Sequence, residues 1–409
     1  MEVLTERKYA SWGDPKVQEL RKEAILFFEN NQLPEVKVEL YKYSNIKRLF
    51  DTHGYSSSEG QSAPYVLTDI PVKTKASIVI KNGKVEHAPE IEGLKIFGDF
   101  HTLQEHEMEN IFHNRESDVM KALMLATANE GVFIEVEDNA HLSEPVLVYL
   151  VNDGAEDSFL SQLHVIKSGK NSKASFIICH INTQEKANFN LISWHCFVEE
   201  NASLSLIDEQ LQKDKDSAVF GYSATQDKGS NWSFTQAALH GAFSRTNIFA
   251  HQKGEAAHTE LNGVFMPSET QHFDIHSLIL HDKPHGTSDE LYKGIASGNG
   301  KGFFNGKVFV ARDAQKINAY QSNKNIILGK EATINSKPEL EIYADDVKCS
   351  HGSTTGQLDD NALFYLQARG IRKSEASKLL LEAFASDVFE RIDNEEIKEW
   401  MRNKLAIRF

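Results

Sequence analysis

Two rhythms of apolar and polar residues divide the chain into three stretches. Between residues 131 and 350, short segments alternate apolar and polar positions, at 132–136, 146–151, 175–181, 204–207, 244–249, 273–280 and 325–328. Period two sends successive side chains to opposite faces, so these segments read as β-strands. Gly, Asn or charged pairs separate them. No helical pattern interrupts the series for about 200 residues, which argues against a doubly wound α/β sheet.

On either side the rhythm is helical. Asp14 and Pro15 supply a cap and a first-turn proline, and Val17, Leu20, Ala24, Phe27 and Phe28 then recur at helical spacing. A second helix is expected from Ser117, with Val119, Met120, Leu123, Met124 and Ala126 on its apolar face and Gly131 as its stop. Residues 52–64, rich in Gly and Ser without an apolar period, read as a mobile loop. Near the other end, Asp359 and Asp360 cap a helix carrying Leu363, Phe364 and Leu366, which Gly370 ends. Ser374 and Glu375 open another, with Ala376, Leu379, Leu380, Ala383, Phe384 and Val388 on its face. Asp393 caps a third through Ile397, Trp400, Met401 and Leu405. Helices this short are marginal alone and need a surface to pack on. The expected organisation is a mainly helical domain over 1–130, a strand core over 131–350 and a helical domain over 351–409.

The strand region carries a faint repeat. Lys173-Ala174-Ser175, Asn201-Ala202-Ser203, Ser230-Asn231-Trp232 and Ala257-His258-Thr259 each precede an apolar segment, about 28 residues apart. Strands returning at a fixed interval suggest the stacked coils of a β-solenoid, each covering its neighbour's apolar face. A β-sandwich with evenly spaced strands is the alternative.

Composition narrows the function classes. Lys and Arg number 44 against 59 Asp and Glu, a net charge of −15, which lacks the field that nucleic-acid binding uses. No apolar run is long enough for a transmembrane helix. Glu2, Glu6, Arg7 and Lys8 lead into no apolar segment, so no secretory signal is expected. Cys179, Cys196 and Cys349 are too few for a disulfide framework, and a cytoplasmic setting is expected.

Few motifs carry chemistry. Gly298-Asn299-Gly300-Lys301-Gly302 fits neither phosphate-loop spacing and reads as a tight turn, so no ATP site is expected on this chain. Hydrolase signatures are absent, and Asp345-Asp346 and Asp359-Asp360 are sequential pairs whose members diverge on a strand. His272, Asp274 and His276 at period two share one face, where they form either a transition-metal site or a polar ladder; His281 and His285 follow. A stand-alone metalloenzyme built on that face is the alternative functional reading. His195 and Cys196 are adjacent and therefore diverge. Cys349 and His351 point the same way on an extended chain, and thiol beside imidazole suits iron, zinc or a persulfide sulfur. Two ligands do not close a site, so a second chain would supply the rest.

The run Lys337-Pro338-Glu339-Leu340-Glu341-Ile342-Tyr343-Ala344-Asp345-Asp346-Val347-Lys348-Cys349-Ser350-His351-Gly352 closely resembles the signature of the SufB/SufD family of iron–sulfur cluster assembly scaffolds. Leu363-Phe364-Tyr365-Leu366, Ala368-Arg369-Gly370-Ile371, Tyr292-Lys293-Gly294-Ile295, Phe304-Asn305-Gly306-Lys307 and Ala319-Tyr320-Gln321-Ser322-Asn323 are similar to it as well, as is the His272 ladder. Lys301-Gly302 stands where Arg-Gly is common, and Ile317-Asn318 where Thr-Asp is. SufB-type chains are longer and carry more cysteines, so the resemblance is to the SufD-type branch. It implies a right-handed parallel β-helix flanked by helical domains, acting as a non-enzymatic scaffold. It also implies pairing with SufB through the end of the β-helix, with the ATPase SufC on the C-terminal helices and a cysteine desulfurase system supplying sulfur. The transient iron–sulfur cluster would be shared with SufB, with His351 the leading ligand or proton-handling group and Cys349 secondary. The resemblance leaves open a flavin in the assembled complex, and a bare β-helix end admits a homodimer of the isolated chain.

Overall fold

A strand pair that cannot bury both its faces alone is stabilised by stacking on copies of itself, and this chain does so throughout its centre. The computed structural model describes residues 15–31, 33, 38–53, 65, 67, 70–112, 119–128, 130–153, 159–183, 187–210 and 213–408. Strands make up 46% of it, wound into a parallel β-solenoid of about 7 turns. From Phe133–Val136 onward, consecutive strands alternate between a ten-stranded and a nine-stranded sheet, so each coil lies on the one before it. Asn231 registers with Ser203 and with His258, for example, and Phe234 with Leu206 and Leu261.

The lumen between the sheets is filled by stacked columns such as Phe176, Leu206, Phe234 and Leu261, facing Trp194, Tyr222 and Ile248. Outer faces are covered too. Helices α1 (Pro15–Asn31), α2 (Ile46–His53), α3 (Glu105–Phe112) and α4 (Val119–Thr127) share a core with Leu163, Val165, Phe189, Leu191 and Val219 of the nine-stranded sheet. The helices α5 (Asp360–Ala368), α6 (Lys373–Ser386) and α7 (Glu395–Ala406) follow the last strand, and Leu381, Trp400 and Leu405 pack near Ile177, Leu291 and Ile295 of the other sheet. Burial on both faces explains why strands Val146–Asn152 and Phe189–Val198 are buried along their whole length.

One corner of every coil needs a left-handed residue. Asn139, Asn171, Asn201, Gly229, Ala256, His285 and Lys316 all have φ between 55° and 66°, spaced about 27 to 32 residues apart. Asn tolerates this conformation, and its amide also links coils: Asn201 donates to Asn171 Oδ1 and Asn171 to Asn139 Oδ1, each at 3.2 Å. The repeat expected from sequence follows this register, with one difference. Ala174 pairs with Leu204 rather than Ala202, because that coil is longer.

Three strands inside the stretch expected to be mainly helical, Ala76–Lys81, Lys84–His87 and Leu94–Phe97, join the sheets. Their runs are short and mixed in character, so period two is weak. Of the expected loop at 52–64, Thr52 and His53 end α2 and residues 54–64 lie outside the described residues, as do Asp14 and Ser117. Asp359 caps α5 as expected, accepting from the Asn361 and Ala362 amides. The cap of α7 is Asn394, not Asp393, and α6 starts at Lys373 without a side-chain cap.

Candidate functional site

At its C-terminal end the ladder stops without a covering element among the described residues. Strand Lys348–Gly356 is last in one sheet and Thr333–Ile342 is last in the other. Along 348–356 every residue is exposed except half-buried Cys349. Cys349 registers with Ala319 and His351 with Gln321, so both side chains continue inward-facing columns. They are nevertheless open to solvent because no further coil among the described residues covers them.

Cys349 packs against the small cluster of Val308, Val310, Ala314, Ile317, Ala319 and Ala344. Burial pushes its thiol pKa upward, against a backbone hydrogen bond at Ala319 that lowers it. It is therefore a thiol rather than a thiolate in the lone chain, and a nearby cation or metal would be needed to activate it. His351 is exposed on the same inward-pointing side, two residues on. Ser353 Oγ donates to Ser336 Oγ at 2.7 Å, tying the two final strands together. Tyr320, Ile342 and Tyr343 expose large side chains around this rim.

The other sequence candidates form a different structure. Asp274 is buried, with Arg245 Nη1 at 2.6 Å from Oδ2 and His276 Nε2 at 2.8 Å from Oδ1, and it also accepts from Ser44 Oγ. Its pKa is held well below the usual carboxylate range by His276 and Arg245, which overcome the opposing effect of burial. His272 stacks between Phe243 and Phe303, and burial pushes its pKa down to about 4. A fixed guanidinium thus occupies the position a cation would take. Ser44 and the Leu40 carbonyl, which accepts from Arg245 at 3.0 Å, connect this ladder to the N-terminal region. Its geometry is that of a structural clamp. Among the described residues, no three His, Cys, Asp or Glu side chains converge as a metal site.

The remaining candidates are structural as well. His281 is buried beside Ser288 Oγ at 3.0 Å, and His285 is one of the left-handed corner residues. His195 meets Ser223 Oγ at 2.6 Å while Cys196 joins the lumen core, so the two diverge as expected. Gly298 adopts φ of 59° in the turn after strand Thr287–Ser297.

Two ion pairs fasten the C-terminal helices to that strand. Lys293 Nζ, itself buried, donates to Asp387 Oδ2 at 2.6 Å and to the Phe384 carbonyl at 2.7 Å. Arg391 pairs with Asp289. Phe384 lies half-buried over Lys293, 4.8 Å from Nζ to its ring centroid. Large apolar side chains exposed on these helices include Phe364, Tyr365 and Leu379. The sequence reading missed Arg245 and Ser44 as partners of Asp274, because long-range contacts leave no local signal.

The architecture is that of a parallel β-solenoid carrying its candidate residues on an unfinished last coil. Residues 149–384 match the family described as SUF system FeS cluster assembly, SufBD core domain, and residues 5–65 match the SufBD protein N-terminal region. The chain belongs to the SufB/SufD family. It is 31% identical to a SufBD family iron–sulfur cluster assembly protein of Synechocystis over 68% of this chain and 59% of that protein. With the iron–sulfur cluster assembly protein SufD of Escherichia coli it shares 38% identity over 42% of this chain and 40% of that protein. Similarity to SufD of Bacillus subtilis is 24% but spans 94% of this chain and 92% of the relative. No described helix is long and apolar enough to cross a membrane.

Proposed function

We propose that this chain is a SufD-type, non-enzymatic scaffold subunit for iron–sulfur cluster assembly. Its open β-solenoid end docks the corresponding end of a SufB-type sister chain, and the nascent cluster is the cargo of that seam. The observation that carries the reading is that half-buried Cys349 and exposed His351 face the lumen on a last strand that, among the described residues, has no neighbour on one side. An exposed strand edge is a template for pairing with another chain, and folds normally blunt it.

His351 is the leading group, offering a ring nitrogen as ligand or proton acceptor to iron or sulfur held by the sister chain. Cys349 is secondary, since its thiol is held protonated by burial. The exposed side chains of Phe364, Tyr365 and Leu379 are the surface for a SufC-type ATPase, and Lys293 and Arg391 transmit its pull to strand Thr287–Ser297. A cytoplasmic or equivalent reducing setting fits three unpaired cysteines.

The test is a reconstituted complex of this chain with SufB- and SufC-type partners and a cysteine desulfurase system. His351→Ala is expected to leave folding and assembly intact and to abolish cluster formation; an unimpaired cluster yield would refute the role. Sizing with and without the SufB-type chain separates a resting homodimer on the same edge from the working heterodimer.

A further inference from the structure

Beneath the open rim the lumen changes from apolar to polar. The column Phe176, Leu206, Phe234 and Leu261 continues in register as Glu290, Gln321 and then His351. Glu290 and Gln321 are 1% and 3% exposed, and a carboxyl placed there costs stability unless its oxygens are satisfied. They are satisfied asymmetrically. Ser277 Oγ donates to Glu290 Oε1 at 2.5 Å, and Gln321 Nε2 donates to Glu290 Oε2 at 2.6 Å.

With Glu290 ionised, as it is above about pH 7, that second bond fixes which way the Gln321 amide faces. Its nitrogen is committed to Glu290, and its oxygen, Gln321 Oε1, is buried without a hydrogen-bond partner. The residue that follows in register on the same face is His351, and neighbouring strands lie about 4.8 Å apart. Space for the pair is made by Gly306 on the opposite sheet. A methyl group there would lie 2.0 Å from Gln321 Nε2 and 2.9 Å from Glu290 Oε2. Gly306 and Gln321 both sit in segments whose resemblance to the family had no chemical explanation in the sequence alone. Here they build one constellation.

We propose that Glu290 is a positioning residue for His351: it holds the Gln321 amide so that its unpartnered Oε1 is presented to accept the imidazole N–H on a turn of the exposed His351 ring, leaving the other ring nitrogen to face the seam. Ligating histidines generally donate their second ring N–H to such an acceptor, which fixes tautomer and ring orientation. The inference rests on the rim role of His351 given above and adds the buried machinery that serves it. Glu290 itself touches no cargo.

The experiment reads the His351 tautomer by nitrogen-15 NMR in the full chain labelled at histidine, with the His351→Ala spectrum assigning the signal. A single tautomer is expected in the unaltered chain above about pH 7, where Glu290 is ionised. Glu290→Gln and Gln321→Met, which keep size, are expected to give a tautomer mixture with unchanged circular dichroism. In the reconstituted complex Glu290→Gln should slow cluster accumulation about tenfold without weakening assembly. A free-imidazole mixture in the unaltered chain overturns the proposal without reference to any variant, as does an unchanged His351 signal in both folded variants. A single tautomer in a chain whose His351→Ala form still makes cluster upholds the contact and overturns the rim role, so the two failures are distinguishable.

Discussion

The two ends of the solenoid are finished differently. At the first coils, Lys84–His87 pairs antiparallel with Ala76–Lys81, and Leu94–Phe97 pairs antiparallel with Phe133–Val136, so the parallel ladders are closed by strands of opposite sense. Helices α1, α3 and α4 then bury the neighbouring apolar face. At the last coil, parallel strands Thr333–Ile342 and Lys348–Gly356 end both sheets among the described residues. The same repeating unit thus ends in short antiparallel strands of four residues at one end and in longer parallel strands at the other. Sheet edges are normally managed because they invite pairing, and here Lys337 and Pro338 blunt Thr333–Ile342, whereas Lys348–Gly356 has no proline and, beyond Lys348 at its start, no charged side chain; that strand is the edge which the proposed function gives to a partner.

Substitutions should separate the sealed body from the open end. The largest effect is expected at Arg245→Ala in the sealed body, which strands the Asp274 carboxylate without its buried guanidinium partner and should cost about 3–5 kcal/mol in denaturant unfolding. A loss below about 1 kcal/mol would show that His276 and Ser44 suffice, and the ladder would lose its standing as a clamp.

Glu290 lies between the two regimes. Burial raises its pKa from 4.5 to about 7. Between those values the folded chain keeps a proton that the unfolded chain has released, so its contribution to stability falls as pH rises through this window and levels off above it. Glu290→Gln removes that loss. Its stability relative to the parent should climb by about 3 kcal/mol from pH 4.5 to 7 and stay flat beyond. The buried histidines His164, His272 and His281, with pKa values lowered to about 3, 4 and 3, lose stability in the opposite direction as pH falls, equally in both proteins. A pH-independent difference between the two proteins would mean that Glu290 is not desolvated.

Gly306→Ala forces a methyl against Gln321 and is expected to cost about 1–3 kcal/mol, with the His351 tautomer disturbed as well. The smallest effect belongs to the rim. His351→Ala and Thr354→Ala should each change stability by within about 0.5 kcal/mol, since both side chains are exposed. Thermal melts settle this, and a loss comparable to that of Arg245→Ala would contradict the open-end description.

Much of this contrast was legible in the chain itself. Period-two segments, the recurring interval and the Cys349-x-His351 spacing lie within single strands, where side-chain direction follows from geometry. The first coils were hidden because Ala76–Lys81, Lys84–His87 and Leu94–Phe97 lie in a stretch of mixed character between helices. Glu290 was hidden for another reason. On strand Thr287–Ser297 it alternates like a surface residue between Asp289 and Leu291, and only stacking with Gln321 and Ser277 shows it to be interior. The clamp at Asp274 likewise depends on Ser44 and Arg245, far away in sequence.

Backbone hydrogen exchange measured on the chain alone and after adding a SufB-type partner tests the open end most directly. Amides of 333–342 and 348–356 are expected to exchange readily in the lone chain and to become protected in the complex, while those of 189–198 stay protected throughout. Protection that develops at the antiparallel-capped end, with the last two strands still exchanging, would contradict the account.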